Sequence, residues 1–321
     1  AALPVPLLLA GIIILSMQDS RGAWATPFLF TSLNTVLLTG IFAFASYMAA
    51  RSFLLTGSAG NLFFGSATFA FSLGALVAGL SMSRYASSNA AVTIYNVSAA
   101  LSGGLHVLGA FSTSARFGLR RVDKGRNRKL GAAYLVTGLL VIIVTVISYQ
   151  GRLPTFFVTG RGHTMLRQAV IGGAVGLFTL SALFFTRFYL IRKAVFFFWY
   201  AVALALLAVG LLGVMLAAVT GDTLDWLGRL TQGLSSLYVI IAYLAVGQSV
   251  RGKDIPIERA LDRFFREATA NYQALVETAT DAIISFDHEG RVLLWNSAAE
   301  RIFGFSASEA LASPLAWLIV P

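Results

Sequence analysis

Few residues in this chain are of a type and spacing that could do chemistry, and they fall in three places. His106 ends the run Asn96-Val-Ser-Ala-Ala-Leu-Ser-Gly-Gly-Leu-His106, an imidazole within otherwise apolar sequence. Gly221-Asp-Thr-Leu-Asp-Trp-Leu-Gly-Arg229 sets two carboxylates, Asp222 and Asp225, beside the indole of Trp226 and the guanidinium of Arg229. Near the C-terminus, Asp287, Gly290 and Asn296 precede Ala299-Glu-Arg-Ile-Phe-Gly-Phe305 and Ser306-Ala-Ser-Glu309. None of these makes a catalytic constellation. There is no Ser/His/Asp arrangement, no glycine loop placed to cradle phosphate ahead of a helix, and no clustered metal ligands. Cysteine is absent, which removes thiolate metal sites and cysteine nucleophiles. The expected chemistry is recognition, with no catalytic residue and no metal site assigned.

His106 and Asn96 are candidates for signal sensing, because a polar or ionisable group inside a membrane is a functional candidate by default. The competing readings of His106 are a neutral imidazole bonded to a neighbouring helix and, less readily, a metal ligand. Asp222, Asp225, Trp226 and Arg229 have two readings. Acids can cap a helix and Trp and Arg can anchor it at headgroup level. Alternatively, Asp222, Asp225 and Arg229 are the polar groups of an outward pocket for a small ligand. A second outer stretch, from Pro154 to Gln168, mixes aromatics, glycines, His163 and Arg167 and carries the same pair of readings.

The elements that must hold these residues are apolar. The chain of 321 residues is 57% hydrophobic and 12% charged, where soluble domains carry about 25% charge. Its mean hydropathy is +0.77. About eight apolar runs can be drawn, at 3–17, 28–50, 62–82, 90–111, 130–149, 169–190, 194–219 and 230–250. Most are long enough to cross ~30 Å of hydrocarbon as helices, the one open structure that satisfies its own backbone in lipid. The four acids before residue 250 (Asp19, Asp123, Asp222 and Asp225) are placed in loops, and no Lys falls inside a run. Ion carriers and retinal Schiff-base receptors place ionisable groups at mid-membrane, so both classes are disfavoured. Helix contacts are expected through small residues such as Gly172 with Gly176, Ala75 with Gly79 and Ala99 with Gly103.

Charge divides the chain at about Val250. Residues 1–250 hold 17 Lys and Arg against 4 acids; residues 251–321 hold 7 against 10. With the C-terminus placed inside, the inner loops carry 13 basic residues and the outer loops 6. This predicts a multi-pass protein of the inner (cytoplasmic) membrane with both termini cytoplasmic. The basic excess is assigned to topology and membrane lipid rather than nucleic acid. Three regions are expected: a transmembrane bundle at 1–250, a linker and signalling helix at 251–280, and a soluble segment at 281–321. In the linker, Ile257, Leu261, Phe264, Ala268, Leu275 and Ala279 approximate a heptad seam with Asn271 at a core position. That predicts a parallel coiled-coil homodimer through 256–280; an amphipathic helix packing on the soluble segment is the alternative. The chain does not begin with Met and stops at Leu318-Ile-Val-Pro321, so it is read as part of a longer protein.

The soluble segment alternates as a strand over Asp281–Asp287, turns at His288-Glu-Gly290, and returns over Arg291–Asn296 into a short helix ended by Gly304. Ser306 and Glu309 have capping-box spacing. With Asp287, Gly290, Asn296, Ala299, Glu300, Phe303, Gly304, Phe305, Ser306 and Glu309, it resembles the opening of a PAS domain. The family runs strand, D-x-x-G turn, strand ending in Asn, then A-x-x-x-F-G-[YF]-[ST]-x-x-E. The resemblance implies the N-terminal part of an α/β fold whose later helix and strands are absent. The family's cofactor positions usually lie in that later part, so the cofactor is unknown. Residues 28–250 resemble the multi-span sensor regions preceding PAS, histidine kinase and diguanylate cyclase modules. That likeness rests on Ala50-Arg-Ser-Phe-Leu-Leu-Thr-Gly57, Asn89-Ala-Ala-Val-Thr-Ile-Tyr-Asn96, Gly103-Gly-Leu-His106 and Gly221–Arg229.

The expected fold is therefore mainly α, a polytopic bundle plus signalling helix and partial PAS domain. The expected function is a sensor relaying a membrane or extracytoplasmic stimulus to an output module. A histidine kinase with a response-regulator partner is the first expectation. A diguanylate cyclase, or a transporter with a regulatory PAS domain, is the alternative.

Overall fold

The computed structural model describes residues 2–18, 34–85, 88–115, 125–158, 162–218, 221–249, 276–287, 289–311 and 313–319. They fall into two compact units, one made by the described residues up to Ser249 and one by those from Val276 onward.

The first unit is helical. Helix α1 spans Pro4–Ser16, with prolines in its first turn where the missing N–H costs nothing. A π-helical stretch, Asn34–Gly40, runs into α2, Ile41–Thr56. Then come α3 (Ala59–Tyr85), α4 (Ser88–Ala115), α5 (Arg126–Tyr149), α6 (Met165–Arg192), α7 (Val195–Leu216) and α8 (Thr223–Ser249). Strands β1 (Phe157–Val158) and β2 (Gly162–His163) form a small antiparallel hairpin before α6.

Among the described residues, seven helical stretches are long and apolar enough to cross a membrane, from Leu37–Leu55 to Thr223–Val246. The first apolar run, 3–17, forms the shorter α1, whose 13 residues reach about 20 Å at 1.5 Å per residue. Several helices outrun the hydropathic windows. Apolar runs beginning at 169 and 230 belong to helices beginning at Met165 and Thr223, because polar capping and packing residues extend each helix beyond its apolar core. Arg167, Asp225 and Arg229, placed by the sequence in loops, are therefore helical.

Lipid supplies no hydrophobic drive between helices, so close packing must hold them. The closest approach of a glycine to a neighbouring helix's backbone joins α7 to α8. A Cβ on Gly228 would stand 2.7 Å from the Gly210 carbonyl oxygen, and one on Gly213 would stand 2.9 Å from the Gly228 Cα. The expected Gly172/Gly176 pair does not work this way. A Cβ on Gly176 would meet nothing within 4 Å. Gly103 does pack closely, with the Leu177 Cβ 2.8 Å from its own missing Cβ.

Helix α5 lies at the edge, exposing Leu135, Val136, Leu139, Leu140, Ile142, Ile143 and Val146, a face suited to lipid. Polar clasps hold it. Tyr134 donates to the Ser46 carbonyl at 3.0 Å, Tyr149 to Ser81 Oγ at 2.6 Å, and Arg126 Nη1 to the Leu54 and Leu55 carbonyls at 3.1 and 3.0 Å. The last places a cation on orphan carbonyls at the C-terminus of α2.

In the second unit, β3 (Ile284–Phe286) pairs antiparallel with β4 (Val292–Trp295), Ile284 opposite Trp295. Short helices α9 (Ser297–Phe303), α10 (Ala307–Ala310) and α11 (Leu315–Ile319) follow. Val292, Trp295, Ala299 and Ala310 form its core. The heptad seam predicted over 256–280 lies almost wholly in 250–275, outside the described residues.

Candidate functional site

His106 is buried at the centre of the bundle, 1% exposed. Its Nε2 lies 2.8 Å from the Tyr200 hydroxyl of α7, and its Nδ1 lies 2.9 Å from the Ser102 carbonyl one turn back. Phe64 meets it edge-on at 5.8 Å and Phe178 tilts against it at 5.6 Å. Phe64, Phe185 and Phe196 in turn ring Tyr200. Both ring nitrogens have partners, so the geometry is that of an imidazole bridging α4 to α7 inside an aromatic layer. The described residues hold no group of three or more His, Cys, Asp or Glu that could bind a metal.

A second polar cluster occupies the end of the bundle where α7 finishes and α8 begins. Asp222 precedes α8; its Oδ1 accepts from the Asp225 N–H at 2.7 Å and its Oδ2 from the Ala218 N–H at 2.9 Å. This is an N-cap that also ties down the end of α7. Asp225 Oδ2 accepts from the Gly221 N–H at 2.9 Å and from Arg229 Nε at 3.0 Å, a buried i,i+4 ion pair. Asp225, Arg229 and Gln232 stand at i, i+4 and i+7, on one face of α8. Gln232 Oε1 accepts a 2.5 Å hydrogen bond from the Tyr95 hydroxyl of α4. From the start of α6, Arg167 Nη2 donates to the Val214 carbonyl at 2.9 Å and lies within electrostatic range of Asp225 and Arg229. His163, just outside the span, faces Arg167, Asp225 and Asp222; burial and the Arg167 charge lower its pKa to about 4, leaving it neutral at pH 7.

The structure thus brings Asp222, Asp225 and Arg229 together as their spacing implied. Trp226 is half-buried on the same turn. Asn96 is 1% exposed on α4, one residue from Tyr95. His106 belongs to the separate aromatic layer. Sequence reading missed Tyr95, Gln232 and Tyr200, and counted Arg167 as a loop cation. The signal for Gln232 was available in its i+7 relation to Asp225; Tyr95 and Tyr200 have partners far away in sequence and left no local trace.

In the second unit, Asp287 Oδ1 accepts from the Glu289 and Arg291 N–H groups, both at 2.9 Å, and Gly290 takes φ +76°, which closes the strand turn without a Cβ penalty. Asn296 is fully buried and fully used. Its Oδ1 accepts from the Ile283 and Ala299 N–H groups, both at 2.9 Å; its Nδ2 donates to the Val276 and Asp281 carbonyls at 2.8 and 3.0 Å. One side chain therefore caps α9, holds β3 and grips the segment arriving from the linker. Glu277, unforeseen from sequence, adds to that grip by accepting from the Ser297 N–H and hydroxyl at 3.0 and 2.6 Å. Phe303 packs 5.4 Å from Trp295, whose Nε1 donates to the Phe305 carbonyl. Glu300 accepts from the Ala307 N–H, and Gly304 ends α9 at φ +81°. Glu309 Oε2 accepts from the Ser306 N–H at 2.9 Å and hydroxyl at 2.6 Å.

Residues 270–321 match the PAS fold. The strand–turn–strand–helix order and the Asp287, Gly290 and Asn296 contacts lie inside that match. No curated protein and no solved structure matches the chain. A PAS segment following seven apolar helices fits a membrane sensor.

Proposed function

We propose that this chain is the input half of a membrane-bound signal-transduction protein. The bundle receives a membrane or extracytoplasmic stimulus, residues 251–280 carry it as a dimeric helix, and the PAS segment passes it to a downstream output module. A histidine kinase acting on a response regulator is the output we favour, in the cytoplasmic membrane with both termini inside. The observation that carries the reading is the grip on the linker's end. Val276 and Glu277 are bonded directly to Asn296 and Ser297, the junction between β4 and α9. A shift or rotation of the arriving segment must move that junction. A stimulus can bias the bundle only by its difference in affinity for two packings.

The test is made on the full-length protein in membrane vesicles. The expected result is transfer of phosphate from ATP to an acid-labile site, at a rate altered by substitutions within the bundle such as His106→Ala. Formation of cyclic diguanylate from GTP would keep the sensor and replace the kinase. Normal regulated output after exchanging the bundle for an unrelated span, or solute flux with no effect on output, would overturn the sensor reading.

A further inference from the structure

The polar cluster at the head of α8 is built from buried groups whose hydrogen-bonding capacity the chain does not fill. Arg167 is 3% exposed, and its Nε and Nη1 have no partner. Gln232 is wholly buried and its Nε2 has none, although its Oε1 is held by Tyr95. All three atoms are donors.

Arg229 is paired with Asp225, and the carboxylates of Asp222 and Asp225 balance the two guanidiniums in charge. Both carboxylates already accept backbone N–H groups, and neither makes an ion pair with Arg167 among the described residues. Arg167 also sits in the first turn of α6, Thr164 being the cap, where the positive end of the helix dipole disfavours a cation. A buried cation with open donors costs free energy unless something completes it. The group that completes an arginine and a primary amide together is an acceptor-only oxyanion.

We propose that this end of the bundle binds an oxyanion, the carboxylate or phosphate group of a small molecule, with Arg167 and Gln232 as its donors. The Asp225–Arg229 pair fixes the face of α8 that presents Gln232, and the Asp222 cap ties that face to the end of α7. Binding would link α6 to α8, the helix from which the chain continues toward the PAS segment. The role of such binding as an input rests on the sensor reading above, whereas the binding itself does not.

The experiment uses the whole chain in phosphatidylcholine nanodiscs. Acetate, succinate and inorganic phosphate are titrated against chloride at constant ionic strength, and the thermal midpoint and isothermal heats are recorded. A parallel set of nanodiscs contains phosphatidylglycerol and no added probe. We expect a saturable rise in midpoint with at least one oxyanion, and an affinity weaker by about tenfold or more in Arg167→Met and Gln232→Glu. Gln232→Glu keeps an acceptor for Tyr95 and, on this proposal, supplies a tethered carboxylate to the same donors. That variant should melt at or above the wild-type midpoint without probe, and it carries the test if Arg167→Met does not fold. A response to soluble probes assigns a free solute, and a response to phosphatidylglycerol alone assigns a lipid headgroup; either supports the site. No response in either set, or an equal response in wild type and both variants, overturns it. Since no signalling output is read, failure here leaves the sensor reading standing on its own assay.

Discussion

At the start of α9, Asn296 fills all four of its hydrogen-bonding positions; at the start of α6, only Nη2 of the Arg167 guanidinium has a partner. Both side chains are buried beside a helix N-terminus, and the same polarity is put to different uses. A satisfied buried amide fixes one arrangement of the segments it touches, because each alternative leaves a donor or acceptor empty. A partly satisfied buried cation favours whatever second arrangement, or ligand, can fill it. The Asn296 amide thus fixes the junction of the PAS segment, and the Arg167 guanidinium leaves donors open at the head of the bundle.

The comparison breaks first at Asn296. Asn296→Ala would orphan the Ile283 and Ala299 N–H groups and two carbonyls, a loss on the order of 3–5 kcal/mol from the PAS unit. Hydrogen exchange of the β3, β4 and α9 amides in the whole chain would measure it. Asn296→Asp retains the acceptor, so it should keep the α9 cap while releasing the Val276 and Asp281 carbonyls. Next comes Asp225→Ala, which removes the Arg229 ion pair and empties the Gly221 N–H. About 3 kcal/mol is expected, read as a lowered unfolding midpoint of the bundle with little change in PAS exchange. If Asp225→Ala destabilised the bundle by much less than Asn296→Ala does the PAS unit, the ion pair would be only a weak brace.

The two regions also differed in how far their residues could be read beforehand. Asn296, Gly290 and Gly304 announce themselves because their partners lie close in sequence. A turn glycine, a cap and a capping box are local devices, and local devices leave patterns. The spans were legible for a related reason, since lipid forces every long apolar run into a helix. Their ends were not. Thr164 and Asp222 cap helices that begin among polar residues, which is why hydropathy alone leaves Arg167, Asp225 and Arg229 in loops. The Tyr95–Gln232 and His106–Tyr200 contacts join residues 137 and 94 positions apart, and no periodicity in one helix reports its pairing with another. The α7–α8 pair, whose glycines come nearest to a neighbour's backbone, is held by Gly210, Gly213 and Gly228, whose spacing is no more distinctive than that of Gly172 and Gly176.

Arg167→Met sharpens the contrast from the other side. Because Arg167 contributes few completed bonds, exchanging it for an apolar side chain of similar length should change stability by no more than about 1 kcal/mol, or raise it. A large loss, comparable to that of Asn296→Ala, would show that Arg167 is a brace like Asn296. His163 gives the cluster a pH signature. Its folded pKa of about 4 lies below the ordinary 6.5, so between those values the unfolded chain binds the proton that the folded chain refuses. Stability is then full above pH 6.5 and falls as pH drops toward 4. Arg167, Asp222 and Asp225 face the ring. His163→Gln should flatten the midpoint over that window, measured by thermal unfolding in nanodiscs.

The smallest effect belongs to Glu309, and it runs on a different pH scale in the PAS unit. The Ser306 hydroxyl, and then the Ser306 N–H, hold the Glu309 carboxylate below its ordinary value of 4.5. The folded form therefore gives up its proton more readily than the unfolded form. Its contribution is present above pH 4.5 and lost as pH falls through the lower folded value. The carboxylate is exposed, so solvent screens the effect and a slight one is expected. Glu309→Gln should remove a shallow acid-side slope from exchange of the α10 amides while leaving the Asn296 network unmoved. A slope that persisted unchanged in Glu309→Gln would show that the Ser306–Glu309 capping box is not its source.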